Sequence, residues 1–119
     1  MVYRVIVSSD FFGTHKVRLP NGEWEDPHDH IYKVEVCLSS SSVDENGMVV
    51  DFVEVKRVLD EVLTRLSGAN LNENVVFSGA IPTAENIAKF IFTEFKKKFK
   101  NLEYVRLFET ENFSVMVSE

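Results

Sequence analysis

His28-Asp29-His30-Ile31-Tyr32-Lys33-Val34-Glu35-Val36-Cys37-Leu38 organises the rest of this chain around itself. A two-residue period puts His28, His30, Tyr32, Val34, Val36 and Leu38 on one face of a strand, with Lys33 and Glu35 on the other. An apolar row thus continues into two imidazoles. Upstream, residues 3–17 read as a preceding strand with a bend or bulge at Gly13, and Pro20-Asn21-Gly22 is loop chemistry. Downstream, residues 39–42 and 43–47 make a second polar loop.

A helix follows, because Val55, Val58, Leu59, Val62, Leu63 and Leu66 recur at helical spacing. Asp51 is its expected N-cap, Glu54 completes a capping-box pattern, and Gly68 is placed to end it. A second helix is expected from Pro82-Thr83, with Thr83 as cap and Ile87, Ala88, Ile91, Phe95 and Phe99 on its buried side. Two alternating stretches, about 103–109 and 113–117, close the chain as strands.

The order strand, strand, helix, helix, strand, strand predicts an α+β fold: a four-stranded antiparallel sheet with two helices on one face. At 119 residues, the chain is expected to form one domain spanning residues 1–119. Its 45% hydrophobic and 27% charged content is that of a soluble globular protein. Four strands leave two open edges, so a homo-oligomer joined edge to edge is expected.

A net charge of -6 argues against nucleic acid as a partner, since phosphate binding needs a concentrated positive face. The basic run Lys96, Lys97, Lys98 and Lys100 falls at a helix end, where cations complement the macrodipole. No stretch is long enough to span a bilayer, and residues 1–7 carry no cleavage signal. The lone Cys37 cannot form an internal disulfide. A cytoplasmic setting without membrane contact is the expectation.

The chain has three histidines, His15, His28 and His30. Two project from the same strand face, and the third lies on the neighbouring strand. Three neutral nitrogen ligands with a fourth position left open suit a catalytic zinc. By spacing alone, three unrelated surface or core histidines remain the other reading.

Further residues occur in order over almost the whole chain: Phe12-Gly-Thr-His15, His28-Asp-His30-Ile-Tyr32, Gly47-Met-Val-Val-Asp51-Phe52, Leu71-Asn72, Pro82-Thr-Ala-Glu-Asn-Ile-Ala88 and Glu109-Thr110. Together they resemble the family of 6-pyruvoyl-tetrahydropterin synthase and 6-carboxy-tetrahydropterin synthase. The resemblance implies the tunnelling fold (T-fold), with sheets joined into a barrel in a trimer or stacked hexamer. It also implies Zn²⁺ held by His15, His28 and His30, and a pterin ring anchored by Glu109. A carboxylate suits that task because it accepts two parallel hydrogen bonds from an aminopyrimidine edge. Thr83 is assigned a supporting substrate-binding role, although helix capping also accounts for it.

Three features depart from the family pattern. Where members carry a proton-transferring cysteine, four residues before the paired histidines, this chain has Trp24. Cys37 sits at an odd offset on the opposite face and reads as a small buried hydrophobe. Glu25, three residues before His28, offers a carboxylate instead. This resembles the subgroup with glutamate for cysteine, associated with cleaving dihydroneopterin triphosphate to 6-hydroxymethyl-dihydropterin. The family's Asp-His relay before Leu-Asn is replaced by Ser67 and Gly68. Such acid–base help is worth about 10²–10⁴-fold in rate, so its loss weighs against the pyruvoyl-forming reaction. Asp29 replaces a glycine, either to orient a neighbour or to face water.

The expectation is a zinc-dependent lyase acting on 7,8-dihydroneopterin triphosphate or a close relative, with Glu25 moving the proton and Glu109 fixing the ring. The alternative is a catalytically impaired paralogue that binds zinc and a pterin without turnover. A structural domain without zinc is the third reading.

Overall fold

In the computed structural model, which describes residues 1–68 and 70–119, β1 (Tyr3–His15) pairs antiparallel with β2 (His28–Ser40) along its full length. Tyr3 stands opposite Ser40 at one end and His15 opposite His28 at the other. After α1 (Phe52–Thr64) and α2 (Ala84–Lys96), β3 (Leu102–Thr110) joins the far side of β2 and β4 (Phe113–Ser118) joins β3. The sheet order is β1-β2-β3-β4, antiparallel throughout. Helix α1 lies over β1, while α2 lies over β3 and β4. The expected fold class is observed.

The period-two row of β2 fixes which face is covered. Tyr32, Val34, Val36 and Leu38 are fully buried, whereas Ile31 on the other face is 71% exposed. From the helices, Val55, Val58, Leu59, Ile87, Ile91 and Phe95 close the same core. Each large apolar side chain taken out of water contributes roughly 1.5–3 kcal/mol before entropy is subtracted. Phe95 also stacks on Phe99 with ring centroids 4.9 Å apart, which extends the apolar side of α2 beyond its last turn. Among the described residues no helix is long and apolar enough to cross a membrane.

Several local expectations are corrected. Strand β1 stops at His15, and β2 absorbs Ser39 and Ser40, which the sequence assigned to loop. No bulge occurs at Gly13, which sits opposite His30 in unbroken register. The glycine answers a different need: a Cβ there would lie 3.0 Å from Leu71 Cδ1 and 3.3 Å from Tyr32 Cε2. Gly13→Val is therefore expected to cost about 1–3 kcal/mol by overpacking, read as a lower denaturant midpoint. The register shifts fall elsewhere, where β3 pairs with β2 near Leu38 and with β4 near Thr110.

Asp51 caps α1 by accepting from the Val53 N–H at 2.9 Å. Glu54 does not complete a capping box, because its carboxylate is held by the Arg57 guanidinium one turn along. Gly68 does not cap α1 either. The helix ends at Thr64, and Gly68, at φ +73°, donates its N–H to Phe12 O at 2.8 Å, tying the connection back to β1. Two short 3-10 turns, Leu71–Glu73 and Val75–Phe77, fill a connection that had no expected structure. The basic run does fall at a helix end, where Lys96 donates to Leu102 O at 3.0 Å and Lys97 pairs with Glu94.

Candidate metal centre and its surroundings

Odd-numbered positions of β1 and β3 and even-numbered positions of β2 face the helices. At one end of the sheet that rule turns polar, and His15, His28, His30 and Glu109 meet. The Nε2 atoms of His15 and His28 are 3.0 Å apart. Glu109 Oε1 lies 3.0 Å from His15 Nε2 and 3.4 Å from His30 Nε2. One ligand atom from each of the four residues lies within 4.8 Å of all the others.

The second nitrogens of two rings are already engaged. His15 Nδ1 is 2.8 Å from Pro82 O, so Nδ1–H donates to that carbonyl and the Nε2 lone pair is left for the cluster. His28 Nδ1 lies 3.3 Å from both Asp26 O and Glu25 Oε1, which turns its Nε2 inward in the same way. His30 Nε2 is buried without a hydrogen bond. Burial lowers the pKa of His30, an effect opposed by the Glu109 carboxylate, and favours the neutral ring that a metal requires.

These residues fit a tetrahedral ion. Metal–ligand bonds of about 2.0–2.1 Å place neighbouring ligand atoms roughly 3.3–3.4 Å apart, close to the three separations found here. His30 Nε2, buried with no hydrogen-bond partner, is likewise an atom that an ion bound here would satisfy.

The supporting contacts come from segments distant in sequence. Asn72 clamps the chain just past His15, taking the Lys16 N–H at 2.9 Å and donating its own amide to Lys16 O at 3.0 Å. Leu71 packs beneath Gly13. Replacing Asn72 with alanine removes both bonds and is expected to cost about 1–3 kcal/mol, lowering the melting temperature by roughly 5 °C. Thr83 is not among the clustered donors. Its hydroxyl accepts from the Asn86 N–H at 3.1 Å as the cap of α2, and Asn86 donates to Ile81 O at 2.8 Å. The motif's contact with the cluster is instead the Pro82 carbonyl, a backbone atom that sequence reasoning did not single out.

Glu25 sits beside the cluster. Its Oε1 accepts from the Val17 N–H at 3.0 Å, and its own N–H donates to Val17 O at 3.1 Å. Both side-chain contacts, to the Val17 N–H and to His28 Nδ1, are made by Oε1. Trp24 is 43% exposed and faces two cations, with Lys16 and Arg18 at 5.2 Å and 5.0 Å from its ring centroid. Cys37 is fully buried on its strand, and burial pushes its thiol pKa up. Asp29 accepts from the Thr14 hydroxyl at 2.6 Å across the β1–β2 pair, so it fixes a neighbour rather than the cluster.

The sequence places Tyr32 on the strand face of His28 and His30 and gives it no role at the site. Its ring lies 5.8 Å from that of His15 and 5.2 Å from that of His30, and its hydroxyl is buried without a partner. Burial, with the Glu109 charge behind it, raises the Tyr32 pKa and keeps the phenol protonated. Ser67 and Gly68, at the position of the missing relay, bring no acid–base side chain to this end of the molecule.

A family model described as 6-pyruvoyl tetrahydropterin synthase matches residues 4–119. An Archaeoglobus fulgidus protein named putative 6-carboxy-5,6,7,8-tetrahydropterin synthase is 44% identical over 85 residues, covering 71% of this chain and 70% of the relative. A Pyrococcus furiosus dihydroneopterin monophosphate aldolase is 32% identical over 118 residues, covering 97% and 96%. The Caenorhabditis elegans 6-pyruvoyl tetrahydropterin synthase structure superposes with a TM-score of 0.86 at 22% identity, covering 100% of this chain and 96% of that one. The Plasmodium vivax enzyme superposes at 0.78 with 16% identity, covering 100% and 98%. That protein has been solved with a glutamate, described as its catalytic residue, replaced by alanine or cysteine.

Proposed function

The chain belongs to the 6-pyruvoyl tetrahydropterin synthase family, and on that premise we propose that it is a zinc lyase cleaving the side chain of a phosphorylated 7,8-dihydroneopterin. The observation that carries the reading is a three-histidine cluster with a carboxylate, Glu25, against the outer nitrogen of one of its rings. His15, His28 and His30 would hold the ion. Zinc bound there supplies Lewis acidity to the side-chain oxygens of the substrate. Glu109 accepts the N–H and NH₂ of the aminopyrimidine edge and orients the ring.

Glu25 then takes the proton from the hydroxyl on the second side-chain carbon. That oxygen becomes an aldehyde as the bond to the first carbon breaks, and the electron pair passes into the pterin ring system. Glu25 returns the proton to the first carbon. The products are 6-hydroxymethyl-dihydropterin and a phosphorylated glycolaldehyde. One proton-moving group suffices, which agrees with a chain carrying Ser67 and Gly68 in place of a second relay. The near full-length match to a dihydroneopterin monophosphate aldolase supports cleavage over pyruvoyl formation.

Incubating the zinc-loaded protein with dihydroneopterin monophosphate and triphosphate separately, then resolving products by chromatography, tests the reading and names the preferred phosphate length. Hydroxymethyl pterin from either substrate is expected. Binding of zinc and pterin with no product would favour the paralogue without turnover.

The proposed setting is the cytoplasm, as expected of a chain whose lone cysteine is buried and unpaired. The proposed assembly is a trimer or hexamer with sheets joined edge to edge. Strands β1 and β4 are the sheet edges, and exposed Ile6, Phe113 and Met116 lie on them. Light scattering should give a multiple of the chain mass, and a monomer at micromolar concentration would contradict the assembly.

A further inference from the structure

Trp24 has no part in the chemistry above, yet it is exposed and carries two cations. Lys16 Nζ lies 5.2 Å and Arg18 Cζ 5.0 Å from its ring centroid. Arg4, Arg57 and Arg65 are each paired with a carboxylate. Among the described residues Lys16 and Arg18 pair with none, although Glu23, Glu25 and Asp26 share their loop. Glu25 is engaged with the Val17 N–H and His28 Nδ1 instead. In a chain of net charge -6, two adjacent cations without a carboxylate are a place for an anion. We propose that Lys16 and Arg18, held over Trp24, grip the phosphate ester of the substrate. This rests on the pterin lyase reading above and adds the subsite for the far end of the side chain.

The position follows from the order of contacts. Glu109, the ring anchor in that reading, lies 3.0 Å from His15 Nε2, which is 3.0 Å from His28 Nε2. His28 Nδ1 is 3.3 Å from Glu25 Oε1, and Glu25 accepts from the N–H of Val17, between the two cations. Ring anchor, histidines, proton carrier and cations thus occur in the order that ring, reacting carbons and phosphate have along a dihydroneopterin phosphate.

The loop is tied down by its backbone, which leaves the charged groups available. Asn72 bonds the N–H and C=O of Lys16, Glu25 bonds those of Val17, and Arg18 bridges to Trp24 across the loop. A cation already resting on an indole has less freedom to lose when an anion binds. Two positive charges match the roughly −1.5 to −2 of a phosphate monoester near pH 7. The guanidinium fork can also give two parallel bonds to its oxygens.

The test is equilibrium binding to zinc-loaded protein, which needs no turnover. Neopterin and neopterin monophosphate, the fluorescent oxidised forms of the ligand pair, are the probes. The wild type should bind the phosphate ester about 10–100-fold more tightly than neopterin, the worth of one charge-assisted hydrogen-bonding group. Added salt should shrink that advantage, because the cations are at the surface. Among the described residues neither side chain makes a hydrogen bond, so a variant with both Lys16→Gln and Arg18→Gln should fold as the wild type does. It should keep its zinc content and its affinity for neopterin, and lose most of the phosphate advantage. Trp24→Leu, which removes the platform but neither charge, should lose part of it, and Trp24→Phe should restore it.

A double variant with the wild-type phosphate advantage would overturn the subsite and leave the lyase reading standing, as would equal affinity of the wild type for the two probes. Failure of the wild type to bind either pterin would overturn the pterin reading and this inference together.

Discussion

Replacing Glu25 with glutamine is expected to lower kcat on a dihydroneopterin phosphate by about 10²–10⁴-fold, or roughly 3–5 kcal/mol of transition-state stabilisation. Glutamine keeps an oxygen to accept the Val17 N–H and so preserves the tie between the loop and β1. What it loses is a group able to take a proton from a hydroxyl and return it to carbon. Zinc content and pterin affinity should therefore stay near wild type, with the loss confined to kcat. The same variant weakens the contact to His28 Nδ1, an outer partner of one ring. If that contact were the main role of Glu25, zinc affinity would fall along with rate. Stopped-flow turnover measured beside a chelator titration separates the two outcomes.

His15→Ala should have the larger effect on the metal. His15 is the most buried member of the cluster, and its nitrogens serve two sides at once: Nδ1 on the Pro82 carbonyl and Nε2 towards His28 and Glu109. Removing the ring deletes one of the three proposed ligands, leaves Pro82 O without that donor, and opens a hole beside Pro82. Zinc affinity should fall by more than about 100-fold, beyond the usual cost of losing an outer partner. Turnover should fall with it, and the protein should melt several degrees lower, since an orphaned buried acceptor costs about 1–3 kcal/mol. Zinc stoichiometry by mass spectrometry together with a thermal melt checks both halves. Retention of stoichiometric zinc would mean that the ion is held elsewhere.

What the sequence reveals here is what local periodicity can encode. The alternating row from His28 to Leu38 and the stripes of α1 and α2 are each visible within a dozen residues, and they yield the sheet, the helices and the covered face. His28 and His30 are recognisable as a pair for the same reason. Contacts between side chains and distant backbone are not legible in this way. Nothing near Asn72 announces that it clamps Lys16, and nothing near Pro82 announces that its carbonyl sets the tautomer of His15. Gly13 suggests a bend to a reader of one strand, but its cause is Leu71, in a turn on the far side of α1. Glu54 fits a capping box by spacing, yet Arg57 offers it a charged partner on the same helix face, and the pairing there wins. Glu109 lies at a strand end in the sequence, and only the register across three strands brings it to the histidines.

The measurement closest to the central claim is the reaction of zinc-loaded protein with dihydroneopterin monophosphate in D₂O, with both products weighed by mass spectrometry. Side-chain cleavage predicts 6-hydroxymethyl-dihydropterin carrying one deuterium on its methylene carbon, with an equal amount of phosphorylated glycolaldehyde. A pyruvoyl or carboxy pterin, or unchanged substrate in the presence of bound zinc and bound pterin, would contradict it.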